Sequence, residues 1–65
     1  MRMIDLIEKK KKNIELSQEE IDYIIHGYVN KEIPDYQISA FLMAVYFNHM
    51  TNHEIYYLTN AMLHS

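Results

Sequence analysis

The side chains with the most chemical potential in this chain are its four histidines and nine carboxylates. His49 and His53 stand at i, i+4, the spacing that puts two metal ligands on one helical face. Thr51 lies between them and reads as a helix start, so no single helix carries both. His26 and His64 are read as surface histidines, and no metal ligand is assigned. Asp5 with Glu8, and Glu19 and Glu20 with Asp22, offer paired carboxylates for acid and base work. Each set falls on or near the wet side of an amphipathic helix, and Glu20 already has a capping task. No serine has a histidine and an acid placed around it. A single glycine, Gly27, excludes a glycine-rich phosphate loop. No catalytic, substrate-binding or metal residue is therefore assigned, and no cofactor is expected in this segment.

Tyr23, Tyr28, Tyr36, Tyr46, Tyr56 and Tyr57 make tyrosine the dominant aromatic. Its apolar ring and polar tip suit half-buried interfaces. Core packing accounts for Tyr28 and Tyr46, while the others are divided between packing and interface. The cluster Lys9, Lys10, Lys11 and Lys12 resembles an anion patch or a localisation signal. The plainer reading is a solvated helix end whose cations suit the negative pole of the helix dipole.

The elements that position these groups are four helices. The first covers about 3–12, with Met3, Leu6 and Ile7 on one face, Ile4 beside them and Asn13 as the stop. The second covers about 18–30: Ser17 and Glu20 form a capping box, and Leu16 can staple against Ile21. Its buried stripe is Ile21, Ile24, Ile25 and Tyr28, with Gly27 off the stripe, able to admit another backbone at close range. Pro34 disfavours a helical Ile33 and opens the third helix, about 34–48. There Ile38, Phe41, Leu42 and Val45 make one apolar stripe, and Ala40, Met43, Ala44 and Phe47 another on the opposite side. Both need cover. The fourth helix, about 52–64, repeats the start signal with Thr51 and Glu54, stapled by Met50 and Ile55, and has the stripe Ile55, Leu58, Thr59 and Met62. That pattern is still running at Ser65, with no cap.

The expected fold class is thus all-α, four short helices forming an incomplete helical unit. A chain of 65 residues would bury only about 60% of the surface its unfolded form exposes. The absence of cysteine removes disulfides and thiolate chemistry and fits a reducing cytoplasm. A net charge of −3 has the wrong sign for nucleic-acid binding. No apolar run reaches the roughly 20 residues of a membrane span, and acids interrupt the N-terminal apolar segment, so neither anchor nor signal peptide is read.

RMIDLIEKK, then SQEEIDYIIHGYVNKEIPDYQISAFLMAVYFNHMT, then LTNAML, in this order and spacing, resemble the N-terminus of the pyrimidine-nucleoside phosphorylases, bacterial relatives of thymidine phosphorylase. The resemblance covers essentially the whole chain, and EIPDYQ with the helix after it is its most distinctive part. Family members often carry Asp and Gly at the positions of Lys12 and Asn13, and Gly at Lys31; Asn13 and Asn30 are suited to the left-handed positions that these turns need. The resemblance implies a homodimer with a small helical lobe and a larger α/β lobe that close on substrate. Inorganic phosphate, a co-substrate, displaces the base from uridine, thymidine or deoxyuridine. The family's phosphate- and base-binding residues come later in the chain, so none is carried over.

The partners so implied are the remainder of the parent chain and a second subunit meeting the helical lobe, with Tyr36, Ala40, Met43, Ala44 and Phe47 as the candidate interface. The isolated segment is expected to be inactive and to self-associate. Two other readings stand beside this one: a free-standing helical module gripping a partner helix through Ala40, Ala44 and the tyrosines, and the helical lobe of a related phosphoribosyltransferase of the anthranilate type.

Overall fold

The structure, a computed structural model, describes residues 1–64. Four helices follow one another: α1 (Met3–Lys11), α2 (Gln18–Val29), α3 (Asp35–Asn48) and α4 (Asn52–Leu63). No strand occurs among the described residues. Each helix is one residue shorter than its sequence bounds because the extra residue is a cap: Lys12, Asn30 and His64 at C-termini, Pro34 at an N-terminus. The expected uncapped end at Ser65 lies outside the described residues.

Local chemistry explains where α2 and α4 start. Ser17 Oγ accepts the Glu20 N–H at 3.2 Å while the Glu20 carboxylate accepts the Ser17 N–H at 2.9 Å. Thr51 and Glu54 repeat the arrangement at 3.1 and 2.8 Å. Each box satisfies two backbone donors that a bare helix end leaves orphaned.

The ends of α1, α2 and α3 are each followed by a residue of positive φ. Asn13 (φ 60°) turns the chain after α1, and the Ile14 N–H donates to Lys9 O at 2.9 Å. After α2 the left-handed residue is Lys31 (φ 59°), whereas Asn30, to which the sequence pointed, keeps φ −87° as the C-cap. One residue further along, the turn lets the N–H groups of Glu32 and Ile33 both reach Gly27 O, at 2.8 and 3.2 Å. His49 (φ 63°) turns the chain from α3 towards α4.

In packing, α1 lies chiefly on α3, and α2 on α4. One core joins the two pairs: Met3, Leu6, Ile7, Leu16, Ile21, Ile24, Ile33, Phe41 and Ala61. Gly27 belongs to the buried face of α2 and receives the side chain of Ile33 rather than a neighbouring backbone. Tyr28, expected in the stripe, is 56% exposed, and Ile4 is also exposed. The stripe of α4 is rotated from its expected place: Glu54 and Ala61 are buried, Tyr57 and Leu58 pack against the core, and Ile55, Thr59 and Met62 are exposed. The cause is the Glu54 carboxylate, which is drawn inward by a cation on α1.

Candidate functional site

That cation is Lys10. The face of α1 that carries Met3, Leu6 and Ile7 continues to Lys10, one turn on, so its side chain enters the core instead of extending into water. Lys10 Nζ donates to Glu54 Oε1 at 2.6 Å, with the two residues only 1% and 0% exposed. Glu54 Oε2 accepts the Leu16 N–H at 2.7 Å, and Asn48 Nδ2 donates to Lys10 O at 2.9 Å. No buried side-chain nitrogen or oxygen among the described residues lacks a partner. Burial pushes the Glu54 carboxyl upward, but the Lys10 ammonium and the N–H groups of Leu16 and Thr51 outweigh it, leaving the group below its ordinary range.

Lys9 makes the neighbouring pair, at 2.8 and 2.7 Å from the two carboxylate oxygens of Glu20. Here too burial raises the carboxyl and the lysine more than offsets it, so Glu20 sits low. The four-lysine cluster is therefore not a uniform solvated end: Lys9 and Lys10 are structural, while Lys11 and Lys12 are exposed. A lysine and a glutamate sealed from water have no access to a substrate, so the node holds helices together and performs no reaction.

The histidines and remaining acids do not converge. Among the described residues no group of three or more histidine, cysteine or acidic side chains is arranged to hold a metal. Thr51 caps α4 between His49 and His53, as the sequence indicated; His53 Nδ1 instead lies 3.4 Å from Glu15 Oε1. No helix among the described residues is long and apolar enough to cross a membrane.

Among the described residues, α3 contributes to two open apolar surfaces. One is a groove of about 300 Å³ between α2, α3 and α4, lined by Ile25, Tyr28, Ile38, Leu42, Val45 and Leu58 among others. The second is an outer stripe of α3: Tyr36, Ala40, Met43 and Phe47, at i, i+4, i+7 and i+11. Tyr36 is 72%, Met43 57% and Phe47 69% exposed. Ala44, grouped with them from sequence, is instead buried, because it faces inward beside Ile7 and Lys11 of α1. Of the tyrosines, Tyr23 and Tyr57 pack on the core. Tyr28 and Tyr46, to which sequence assigned that role, lie at the surface because they fall outside the inward arcs of α2 and α3.

Comparison with known proteins agrees with this geometry. The family model described as "Glycosyl transferase family, helical bundle domain" matches residues 4–65. The chain is 54% identical over all 65 residues to a protein named thymidine phosphorylase from Mycoplasmoides pirum, of which it covers 16%. It is 54% identical to a pyrimidine-nucleoside phosphorylase from Geobacillus stearothermophilus and 51% identical to one from Staphylococcus haemolyticus, covering all of this chain and 15% of each relative. The chain thus spans less than a fifth of the length of these relatives. With a four-helix fold and a match over nearly every residue, the chain belongs to the glycosyl transferase family as its helical bundle domain.

Proposed function

We propose that this chain is the N-terminal, dimerisation-type helical domain of a pyrimidine-nucleoside phosphorylase. The observation that carries the reading is the 54% identity over all 65 residues to proteins bearing that name or the name thymidine phosphorylase, each covered only at its 15–16% share. The full-length parent cleaves a pyrimidine nucleoside with inorganic phosphate, giving free base and ribose or deoxyribose 1-phosphate, a step of nucleoside salvage in the cytoplasm. A phosphate oxygen forms the bond to the sugar's C1 while the bond from C1 to the base nitrogen breaks, and the base leaves with the electron pair. No covalent enzyme intermediate is required. The protein's contribution is orientation, placement of positive charge and exclusion of water by closure of two lobes.

In this scheme the helical chain supplies a stiff body and two contact surfaces. The groove between α2, α3 and α4 receives a later segment of the parent chain, and the outer stripe of α3 meets the second subunit. Exposure of that much apolar surface in a helical domain supports the assignment. Reacting groups and any bound cofactor lie outside this segment.

Substrate profiling of the full-length protein tests the proposal. Phosphate-dependent release of free base from uridine, thymidine or deoxyuridine is expected. Turnover of anthranilate with a phosphoribosyl donor, and none of the pyrimidine nucleosides, would overturn it in favour of the related transferase.

A further inference from the structure

Two adjacent lysines in the last turn of α1 hold the capping glutamates of two different helices, Lys9 that of α2 and Lys10 that of α4. The second contact gathers far more of the chain. The Glu54 carboxylate accepts from Lys10 Nζ (2.6 Å), the Leu16 N–H (2.7 Å) and the Thr51 N–H (2.8 Å). Asn48 Nδ2 closes the ring from the end of α3 by donating to Lys10 O at 2.9 Å. The end of α1, the α1–α2 connection, the end of α3 and the start of α4 therefore meet at one lysine and one carboxylate. Because α1 pairs with α3 and α2 with α4, this is also where polar contacts tie one helix pair to the other.

The same corner stores strain. His49, next to Asn48 and two residues before Thr51, has φ 63° and ψ 174°, a combination nearly confined to glycine and sustained elsewhere only where the surroundings over-determine it. On one side of it Asn48 donates to the Lys10 backbone carbonyl, and on the other the Thr51 N–H donates to the Glu54 carboxylate.

We propose that Lys10 and Glu54 form a conformational latch: making or breaking this one pair locks or frees the α1–α2 connection and the α3–α4 corner together. Loss of either charge leaves the other sealed from water. With the Lys10 charge gone, the Glu54 carboxylate is drawn towards water and away from the Leu16 and Thr51 N–H groups; with the Glu54 charge gone, those two donors lose a charged acceptor, and in either case the Thr51 side of the His49 turn is loosened. Both routes act on Leu16 and Thr51 at once, so the two corners open as a unit. The flanking Lys9 pair trims the latch without governing it, because the Lys9 side chain is 35% exposed and water replaces its partner.

Other charged and titratable groups surround the node: Lys9 on α1, Glu20 on α2, His49 at the end of α3 and Glu15 in the α1–α2 connection. Glu15 Oε1 accepts from Thr51 Oγ1 at 2.6 Å and faces His53 Nδ1 of α4 at 3.4 Å. Substitutions therefore separate Glu54 from these neighbours.

Hydrogen–deuterium exchange read at single amides in the full-length protein carrying this segment is the test. In Lys10→Met, exchange at Leu16 and Thr51 should rise together by roughly 100-fold or more, ahead of Ile24 in the core of α2, as expected for one partner stripped from a buried pair. Lys9→Met should change them by less than about tenfold. Lys10→Met with Glu54→Gln, which removes both charges, should recover much of the protection. Independent behaviour of Leu16 and Thr51, or a rise only in step with Ile24, would overturn the latch. If Lys10→Met does not fold, an acid titration decides instead, with rates corrected for intrinsic exchange. The wild-type amides of Leu16 and Thr51 must open together as Glu54 protonates, and in Glu54→Gln they must already be open at neutral pH. A titration that survives Glu54→Gln belongs to another group and refutes the proposal.

Discussion

Substituting alanine for Gly27 tests the tightest contact in the turn between α2 and α3. Gly27 sits inside α2 without a positive φ, so helix propensity alone would make alanine more stable by about 1 kcal/mol. The added Cβ, however, would fall 2.5 Å from Ile33 Cδ1 and 2.6 Å from Ile33 Cγ1, where carbon atoms normally stand about 3.5–4.0 Å apart. Ile33 has little room to retreat, being 7% exposed with its own N–H bonded to Gly27 O at 3.2 Å. Overpacking of this kind costs about 1–3 kcal/mol. Subtracting the propensity gain leaves a net destabilisation of up to about 2 kcal/mol. Denaturant unfolding followed by far-ultraviolet circular dichroism would show a lower midpoint at unchanged slope. The signature is a reversal of sign. In an Ile33→Ala background the clash is gone, and Gly27→Ala should stabilise by up to about 1 kcal/mol. A stabilising Gly27→Ala in the otherwise natural chain, or the same cost in both backgrounds, would refute the reasoning.

Three further outcomes are expected. Lys31→Gly should stabilise by about 1 kcal/mol, read from a thermal or denaturant midpoint, because Lys31 holds φ 59° where a side chain is disfavoured by about 1–2 kcal/mol. Lys10→Met should cost about 3–5 kcal/mol by leaving Glu54 unpaired in the interior, and Lys9→Met no more than about 1 kcal/mol, in parallel denaturation curves; equal costs would contradict the burial contrast. Glu54 and Glu20 both sit below the ordinary carboxylate range, so the folded chain binds fewer protons than the unfolded one in acid. Their contribution to stability is complete above about pH 5–6 and is lost as pH falls through the ordinary range towards the folded values. Denaturation midpoints measured down the pH scale should show that fall.

How much of this was legible in the sequence follows from the range of the forces involved. Both capping boxes could be read directly, because Ser17 with Glu20 and Thr51 with Glu54 act within one turn. Pro34 and Asn13 likewise announce their turns through their own backbone preferences. The Lys10–Glu54 pair spans 44 positions, and nothing local distinguishes Lys10 from Lys9, Lys11 and Lys12. The available signal was the continuation of the Met3, Leu6, Ile7 face one turn further to position 10. Missing it also misplaced the stripe of α4, since the inward face there is set by Glu54 and not by its most apolar residues. In α3 most positions are apolar, so the two stripes were visible but their division was not. Phe41 and Ala44 turn inward together, and Tyr36, Ala40, Met43 and Phe47 are left outside. The resemblance to phosphorylases, by contrast, rests on residue order and spacing along the whole chain, and did not require knowing which face of any helix is buried.

The central claim is that this helical segment supports a phosphorolytic reaction whose reacting groups lie elsewhere in the parent protein. Its most direct test is to assay phosphate-dependent release of uracil from uridine by the 65-residue chain and by the full-length protein, side by side at equal molar concentration. The account predicts turnover by the full-length protein and none by the segment. Uracil release that scales with the concentration of the segment alone would contradict it.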